Sequence, residues 1–284
     1  MKKFTLSFLL ACFICIMPAN AFTFPGFEWS VGADITSAYL WRGMRYGGLA
    51  FQPCASVGIG GLNIEGWANL SPEDYTFKNF APELDVKLSY SIAGLTVGVN
   101  HLYYFDGSKY FDFKGGNYND YINDNYSSTQ TEVFAEFNLG ELVEVAPLHL
   151  GWYTYVAGDD KYVDEEHPAI NGMDTTFNMK RAYSSYIEVS YDINLPLNFT
   201  LTPTVGMTPW KSLYTFYEGN FAFNNLSLKL NWELEVGDHF TLDVYAVGML
   251  NAYGINKQNL VPEIKNSYCN QRLNGAIGVG LWLY

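Results

Sequence analysis

Alternation between apolar and polar residues constrains the fold of this chain more than any other feature of its sequence. From Phe27 to Trp41 every second residue is mostly apolar or aromatic, and the residues between them are mostly small or charged. The same period of two recurs, for example at 84–92 and 226–234. In a β-strand successive side chains point to opposite faces, so the pattern predicts strands with one apolar and one polar face.

Read in this way, the chain contains twelve predicted strands joined by alternately short and long connections. The strands are expected at 27–42, 49–60, 62–71, 80–92, 95–106, 129–139, 147–157, 182–193, 197–209, 223–235, 240–251 and 271–284. Short connections such as 60–61 and 93–94 alternate with long ones such as 107–128 and 158–181. An even strand count with this alternation is typical of an up-and-down barrel in an outer membrane, with its short turns in the periplasm.

The composition agrees with strands that cross a membrane. Aromatic residues make up 17% of the chain and charged residues only 16%. After the N-terminal segment no apolar run approaches the ~20 residues that a spanning helix needs. We therefore predict an all-β fold, a transmembrane antiparallel up-and-down barrel of about twelve strands. A secreted β-sandwich or lectin would also alternate, but its outward face should be polar.

The N-terminus has the pattern of a secretory signal peptide. Lys2 and Lys3 precede an apolar run that ends at Met17, and an A-x-A site follows at 19–21. We expect cleavage after Ala21, leaving a barrel of residues 22–284; a lipoprotein box at 9–12 is the alternative. Loss of two lysines would change the formal charge from −13 to −15, which disfavours nucleic acid as a partner. A disulfide between the two remaining cysteines, Cys54 and Cys269, is left open.

The polar face of the strands supplies the candidate functional residues, which we expect to line the lumen. They are Asp34, Arg42, Glu65, Trp67, Asp85, Lys87, Glu132, Glu136, Tyr153, Glu188, Lys229, Glu233 and Asp243. A lining in which carboxylates dominate attracts cations and repels anions, so an open pore would prefer cations. Alternatively, many of these carboxylates pair with Lys or Arg or lie near the water-filled ends, and then have little effect on ion selectivity. Inward aromatic residues could stack on a solute or simply fill space.

An enzyme is not expected. Some outer-membrane lipases and deacylases keep a Ser–His pair on the lipid-facing wall. Here His101 is predicted to face lipid beside strand 80–92, without a serine near it. None of the four histidines forms a Ser–His–acid arrangement on adjacent predicted strands. We also expect no cofactor and no metal site.

The first strand carries a resemblance to a known family. Its sequence DITSAYLWRG, residues 34–43, resembles the opening of the TorF family of putative porins, which carry a similar Ser–x–Tyr–x–x–Arg–Gly motif. The matching positions are Ser37, Tyr39, Arg42 and Gly43. The resemblance implies a porin-like barrel and transfers no catalytic or binding residue. Asp34 and Arg42 would both point into the lumen, each pairing with charges of neighbouring strands such as Glu65 or with loop groups.

The last strand, GAIGVGLWLY, ends in aromatic residues. Outer-membrane barrels similarly end on an aromatic residue that the barrel-insertion machinery recognises, so Trp282 and Tyr284 are expected to be that signal and to face lipid. The residues between them and before them, such as Ile277 and Val279, would then face the lumen and make this wall apolar on both sides. Either a glycine bulge shifts the register, or this wall packs against a plug at the periplasmic end.

These features predict a porin-like channel of the Gram-negative outer membrane for passive diffusion of small solutes. The partners would be outer-membrane lipid, the insertion machinery and a small-molecule solute, and the oligomeric state is open. The alternative is a non-conducting barrel whose loops bind a partner or a surface ligand.

Overall fold

The computed structural model describes residues 26–72, 80–104, 110–114, 129–143, 146–171, 174–217, 221–251, 253 and 272–284. The expected signal peptide, residues 1–21, lies outside these ranges, and so does Cys269. In the described part of the chain, no helix is long and apolar enough to cross a membrane.

The described residues form seventeen strands and two short 3-10 turns. The strands are β1 Phe27–Thr36, β2 Tyr39–Trp41, β3 Met44–Gly47, β4 Ala50–Ile59, β5 Leu62–Pro72, β6 Phe80–Ile92, β7 Leu95–Tyr104, β8 Gln130–Asn138, β9 Leu148–Gly158, β10 Lys161–Asn171, β11 Asp174–Arg181, β12 Ser185–Tyr191, β13 Ile193–Leu195, β14 Phe199–Thr208, β15 Ala222–Val236, β16 Phe240–Leu250 and β17 Leu273–Leu283. The 3-10 turns are Leu139–Glu141 and Leu213–Thr215.

Twelve of these strands close into an antiparallel barrel. Each pairs with its neighbours in the order β1, β4, β5, β6, β7, β8, β9, β12, β14, β15, β16 and β17, and β17 pairs with β1. The short β13 continues β12 and pairs with the same strand, β14. The predicted fold class and strand count are therefore confirmed. A two-sheet sandwich is excluded, because it would leave open edges where β1 and β17 meet.

The two faces of the barrel wall differ in polarity as alternation predicts. On β6, Leu88 on the outer face is 48% exposed, whereas the neighbouring Ser89 on the inner face is 6% exposed. Large apolar side chains are exposed on the outer face of other strands too, including Ile64, Val99, Leu230 and Val279. A continuous exposed apolar belt is unfavourable in water and favourable against lipid tails.

The two ends of the barrel differ in the length of their connections. At one end, the short-turn end, tight turns at 60–61, 93–94 and 237–239 join neighbouring strands. At the other, the long-loop end, the chain between barrel strands is longer and includes two further hairpins. One is β10–β11; the other is β2–β3, which we call the inner hairpin, residues 39–47.

The inner hairpin corrects the first predicted strand. That strand was expected to run from 27 to 42, but β1 leaves the wall after Thr36. The chain then turns inward, so Tyr39 and Trp41 lie in the lumen and not against lipid. The predicted strand is longer than the roughly 9–11 residues that a membrane-spanning strand needs. The residues beyond that length form the start of the inner hairpin inside the barrel.

The last strand also differs from its expected orientation. Trp282 is the cross-strand neighbour of Gly32, and a Cβ on Gly32 would collide with its indole ring. Trp282 therefore lies on the lumen side, whereas Ile277 is 68% exposed and Leu281 is 53% exposed on the outer face. The register of β17 with both neighbours is regular, without a bulge. The prediction that the last strand is apolar on both faces is therefore wrong. The reason for expecting a plug at the short-turn end disappears with it.

We predict that a lysine is tolerated on the inner face of β15 and not on its outer face. Leu230 faces outward, whereas Asn231 faces inward and donates a hydrogen bond of 3.3 Å to Asp243. Leu230→Lys should lower the free energy of unfolding by about 2–4 kcal/mol, because its ammonium would lie in hydrocarbon. Asn231→Lys should change it little, because its ammonium lies in the lumen beside a carboxylate.

The measurement is the urea dependence of folding into lipid vesicles, followed by the change in electrophoretic mobility of folded barrels. Equal destabilisation by the two lysines would contradict the assignment of the outer face to lipid.

Candidate functional site

The inner hairpin carries Arg42 into the barrel at its turn. Arg42 and Gly43 are the two central residues, because Trp41 pairs directly with Met44. Their φ angles are 47° and 86°, as a two-residue turn of the type I′ class requires. Glycine is needed at the second position for another reason as well, since a Cβ there would collide with the backbone carbonyl oxygen of Asn224 on β15.

The guanidinium of Arg42 is buried and held by a carboxylate and a phenol. Both of its terminal nitrogens donate to Glu132 on β8, with Nη2 at 2.9 Å from Oε1. Nη1 also donates to the hydroxyl of Tyr214 at 2.6 Å. Arg42 is 9% exposed and Glu132 is 3% exposed. Arg42 was predicted to pair with a charge such as Glu65; its partner is Glu132, because the turn carries it across the lumen.

Aromatic rings enclose the same guanidinium. Its Cζ lies 4.3 Å from the ring centroid of Trp41, 4.0 Å from that of Tyr153 and 5.1 Å from that of Tyr186. A weakly hydrated, planar cation is well suited to this environment, in which ring faces replace water. The buried charge is thus paired, and breaking the pair would leave an uncompensated cation among rings.

A second inward segment meets the hairpin from the connection between β14 and β15. The 3-10 turn Leu213–Thr215, which we call the Tyr214 turn, follows β14 and is anchored by a hydrogen bond of 2.7 Å that Leu213 N donates to Ser184 Oγ. Ser184 N in turn donates to Asp160 Oδ2 at 2.8 Å. Burial raises the pKa of the Asp160 carboxyl above its ordinary value, although the hydrogen bonds from Ser184 act in the opposite direction.

Together the two segments divide the lumen. On the side of β8, β9, β12 and β15, the hairpin, the Tyr214 turn and the wall form a packed cluster. Its fully buried members include Tyr155, Tyr186 and Tyr214. On the side of β4 to β7, β16 and β17, a cavity of about 310 Å³ lies between the hairpin and the wall.

The cavity brings together four of the predicted lumen residues. Glu65 and Lys87 form an ion pair at 2.9 Å on its wall. Trp67 packs against Tyr39 of the hairpin, with ring centroids 5.6 Å apart. Asp85 accepts a hydrogen bond of 3.3 Å from Asn100 Nδ2. We refer to this space, with its aromatic and carboxylate walls, as the lumen cavity.

The other predicted lumen residues lie elsewhere on the inner face. On β15 and β16, Glu233 and Asp243 are direct cross-strand neighbours. Lys229 Nζ lies 4.7 Å from the ring centroid of Tyr245. Its positive charge also interacts electrostatically with the carboxyl group of Asp34 on β1. Towards the short-turn end, Glu136 accepts a hydrogen bond of 2.8 Å from Tyr153, and Glu188 accepts one of 2.6 Å from Tyr186.

The two residues of the predicted insertion signal both lie on the lumen side of β17. Trp282 packs against Gly32, and the Tyr284 hydroxyl is hydrogen-bonded to the hydroxyl of Thr241. Their expected position in a lipid-facing girdle is wrong. Recognition by the insertion machinery is a separate matter and stays a prediction.

His101 occupies an outward position of β7, but the segment 110–113 covers it. It is 7% exposed, and its ring nitrogens lie 2.9 Å from Thr131 Oγ1 and 2.6 Å from the carbonyl oxygen of Tyr110. It does not face lipid directly, as had been expected. Neither of its hydrogen-bond partners is a serine, so this contact gives no Ser–His pair.

Several residues of the site were not predicted. Tyr39 and Trp41 were placed on the lipid face, and Tyr214 and Asn224 were not singled out. The sequence holds one signal that could have located the hairpin: an Arg–Gly pair between short runs rich in aromatic residues. The Tyr214 turn has no comparable signal, because its position depends on hydrogen bonds to Ser184 from a distant part of the chain.

Comparison with known proteins gives a likeness of fold. No protein-family model matches the chain, and neither does any curated protein. Among solved structures, the NanC porin shares 14% identity at a TM-score of 0.42, over 90% of this chain and 100% of that one. The KdgM porin shares 7% at 0.41, over 90% and 98%. Outer membrane phospholipase A from Escherichia coli shares 11% at 0.37, over 91% and 96%.

These similar structures include porins and an enzyme, so the comparison does not assign a function. Function has to be argued from the residues of this barrel. The likeness to the TorF family likewise stays a prediction.

We predict that Glu132 holds the inner hairpin in the lumen. Glu132→Gln should lower the free energy of unfolding by about 3–5 kcal/mol, because it leaves the buried guanidinium without its counter-charge. It should also free the hairpin, so that trypsin cleaves the Arg42–Gly43 bond of the folded barrel. Cleavage is measured by mass spectrometry of protein in detergent micelles.

The matched control is Glu136→Gln, on the same strand and the same face. Glu136 accepts a hydrogen bond from Tyr153 but forms no ion pair with Arg42, so this variant should keep the Arg42–Gly43 bond protected. Protection of that bond in Glu132→Gln would refute the role of the ion pair.

Proposed function

We propose that the protein is an outer-membrane channel of a Gram-negative bacterium that admits small solutes by passive diffusion and prefers cations. The observation that carries this proposal is the division of the lumen. The inner hairpin fills one side of the barrel, and the polar lumen cavity occupies the other. A solute that passes the hairpin would cross on the cavity side.

The charges on the inner wall support the preference for cations. Arg42 and Lys87 are both engaged in ion pairs, with Glu132 and Glu65. Within the described ranges, Asp34, Glu188, Glu233 and Asp243 form no ion pair. Carboxylates in a water-filled lumen with low-dielectric walls concentrate cations and exclude anions. Passive diffusion also needs no catalytic residue, in line with the expectation that the protein is not an enzyme.

The partners follow from the same proposal. The apolar outer face would contact outer-membrane lipid, the insertion machinery would fold the chain into the membrane, and a small-molecule solute would occupy the lumen. A barrel of twelve strands lies between eight-stranded barrels filled by side chains and porins of sixteen or more strands with an aqueous channel. A narrow conductance is therefore expected.

A second candidate is a non-conducting barrel whose loops bind a partner or surface ligand. It is favoured by the packing around Arg42, where an ion pair, four aromatic rings and the Tyr214 turn close one side of the lumen. If the cavity side is closed as well, solutes cannot pass.

Planar-bilayer recording of the refolded full-length chain separates the two candidates. We expect discrete conductance steps in symmetric potassium chloride, and a reversal potential in a salt gradient that has the sign of a cation-selective pore. Absence of steps at any salt concentration would reject the channel and favour the non-conducting barrel. Steps with anion selectivity would reject the cation preference.

Two further variants test which residues set selectivity and size. Glu233→Gln combined with Asp243→Asn should lower the cation-to-anion permeability ratio several-fold, because adjacent lumen carboxylates are removed.

Gly43→Ala should raise the single-channel conductance, because the added Cβ collides with Asn224 and displaces the hairpin.

The control for the second variant is Gly248→Ala, whose Cβ would meet no atom within 4 Å. It should leave the conductance unchanged. A Gly43→Ala channel of wild-type conductance would mean that the hairpin does not restrict the pore.

A further inference from the structure

We infer that the lumen cavity is a binding site for a small organic ammonium ion with an aromatic body. This inference deepens the proposed function, on which it rests, by naming the class of solute. It is carried by three observations: the size of the cavity, the aromatic rings that border it, and two buried hydrogen-bond acceptors without a partner on the barrel wall.

The cavity has the size of a small-molecule site. Its volume of about 310 Å³ lies at the lower end of the range for ligand pockets. Its walls come from the hairpin and from strands on both sides of the β1–β17 closure, so a bound solute would touch the fixed barrel wall and the hairpin together. An inorganic cation would use little of this surface.

Part of the cavity lining is aromatic. Tyr39 and Trp41 of the hairpin and Trp67 of β5 border it. Tyr39 and Trp67 are inclined at 50° to each other, so their faces are not stacked face to face. Rings arranged in this way offer apolar contact to a flat group, and their π-electrons attract a cation.

On the barrel wall around Trp67, three side-chain donors are engaged and two acceptors are left over. Gln52 donates to Asn69 at 3.0 Å, Lys87 to Glu65 at 2.9 Å, and Asn100 to Asp85 at 3.3 Å. By contrast, Asp85 Oδ1 and Asn100 Oδ1 are buried and accept no hydrogen bond from the described residues. Asp85 forms no ion pair in the described part of the chain either.

This asymmetry selects the chemistry of the ligand. An anion only accepts hydrogen bonds and would add negative charge beside Asp85. A sugar hydroxyl could donate to Asp85 but would leave the charge of the carboxylate uncompensated. An ammonium group only donates, and its positive charge compensates a carboxylate that has no counter-ion. With its aromatic body between Trp67 and the hairpin rings and its head near Asp85, the cross-strand neighbour of Trp67, such a ligand contacts both the hairpin and the barrel wall.

The test is isothermal titration calorimetry of the refolded, full-length barrel in detergent with three probes that share one phenyl body. Phenethylamine is cationic at pH 7, phenethyl alcohol is neutral and hydrocinnamate is anionic. We expect measurable binding of phenethylamine, with the alcohol weaker by at least about tenfold and hydrocinnamate weaker still. Equal binding of amine and alcohol, preferential binding of hydrocinnamate, or no binding of any probe would overturn the inference.

Variants locate the site. Asp85→Asn should weaken phenethylamine binding by about tenfold or more and leave the alcohol unchanged, because it removes charge and keeps shape. Glu136→Gln is the matched control, a lumen carboxylate on β8 outside the cavity, and should bind phenethylamine as the wild type does. Trp67→Leu should weaken the amine and the alcohol alike. If Asp85→Asn binds phenethylamine like the wild type, or if Glu136→Gln weakens its binding equally, the assignment of the site is wrong.

Calorimetry does not require conduction, so the two proposals fail separately. A barrel that binds phenethylamine but shows no conductance steps would retain the site and reject the channel. A barrel that conducts cations but binds none of the probes would retain the channel and reject the site. Thermal melting of each variant checks that a loss of binding does not reflect a loss of fold.

Discussion

Closure of the sheet between β1 and β17 is the constraint on which the rest of the structure depends. In hydrocarbon, an unpaired backbone amide or carbonyl costs several kcal/mol, so the first and last strands must meet. They pair from Val31 to Thr36 opposite Gly278 to Leu283. Ser37 ends the pairing: its N–H donates to the carbonyl oxygen of Ile277 at 2.8 Å, and its Oγ accepts from Ile277 N at 2.9 Å. A side-chain hydroxyl thus completes the seam and lets the backbone turn inward.

That turn determines the electrostatics of the lumen. A hairpin that enters the barrel must carry its charge into a space with little water, and it does so with Arg42 at its tip. The guanidinium is accommodated because Glu132, Tyr153 and Tyr214 are placed by three different elements of the wall and loops. Ion pairs of this kind add little net stability, but they make one position of the hairpin lower in free energy than positions that leave the buried charge unpaired. The pair therefore determines where the hairpin lies.

The sequence predicts the wall much better than it predicts the contents of the lumen. Alternation locates the barrel strands because every position of a spanning strand faces either lipid or the interior. It fails at Tyr39 and Trp41, since aromatic residues at alternate positions look the same on a lipid-facing strand and in a hairpin packed against rings. It fails at Trp282 for a related reason. The aromatic residue was taken to fix the orientation, whereas the small residues Gly278 and Gly280 mark the inner face, where Tyr245 and Asp34 need space.

Long-range contacts account for the remaining differences. The pairing of Arg42 with Glu132, and not with Glu65, depends on where a turn of two residues carries a side chain, and no local pattern encodes this. Glu65 is instead paired with Lys87 on the adjacent strand. The Tyr214 turn is likewise positioned by Ser184 and Asp160. Such contacts join distant residues in three dimensions and leave no periodicity in the sequence.

If the protein conducts ions and binds a solute as proposed, the inner hairpin affects the two in opposite directions. Its turn narrows one side of the lumen, and its Tyr39 and Trp41 rings form a wall of the cavity on the other side. Any change that moves the hairpin out would widen the path for ions and at the same time remove an aromatic wall of the proposed site. Holding the hairpin through the Arg42–Glu132 pair would therefore serve both proposals, because the same hairpin shapes the cavity and restricts the pore.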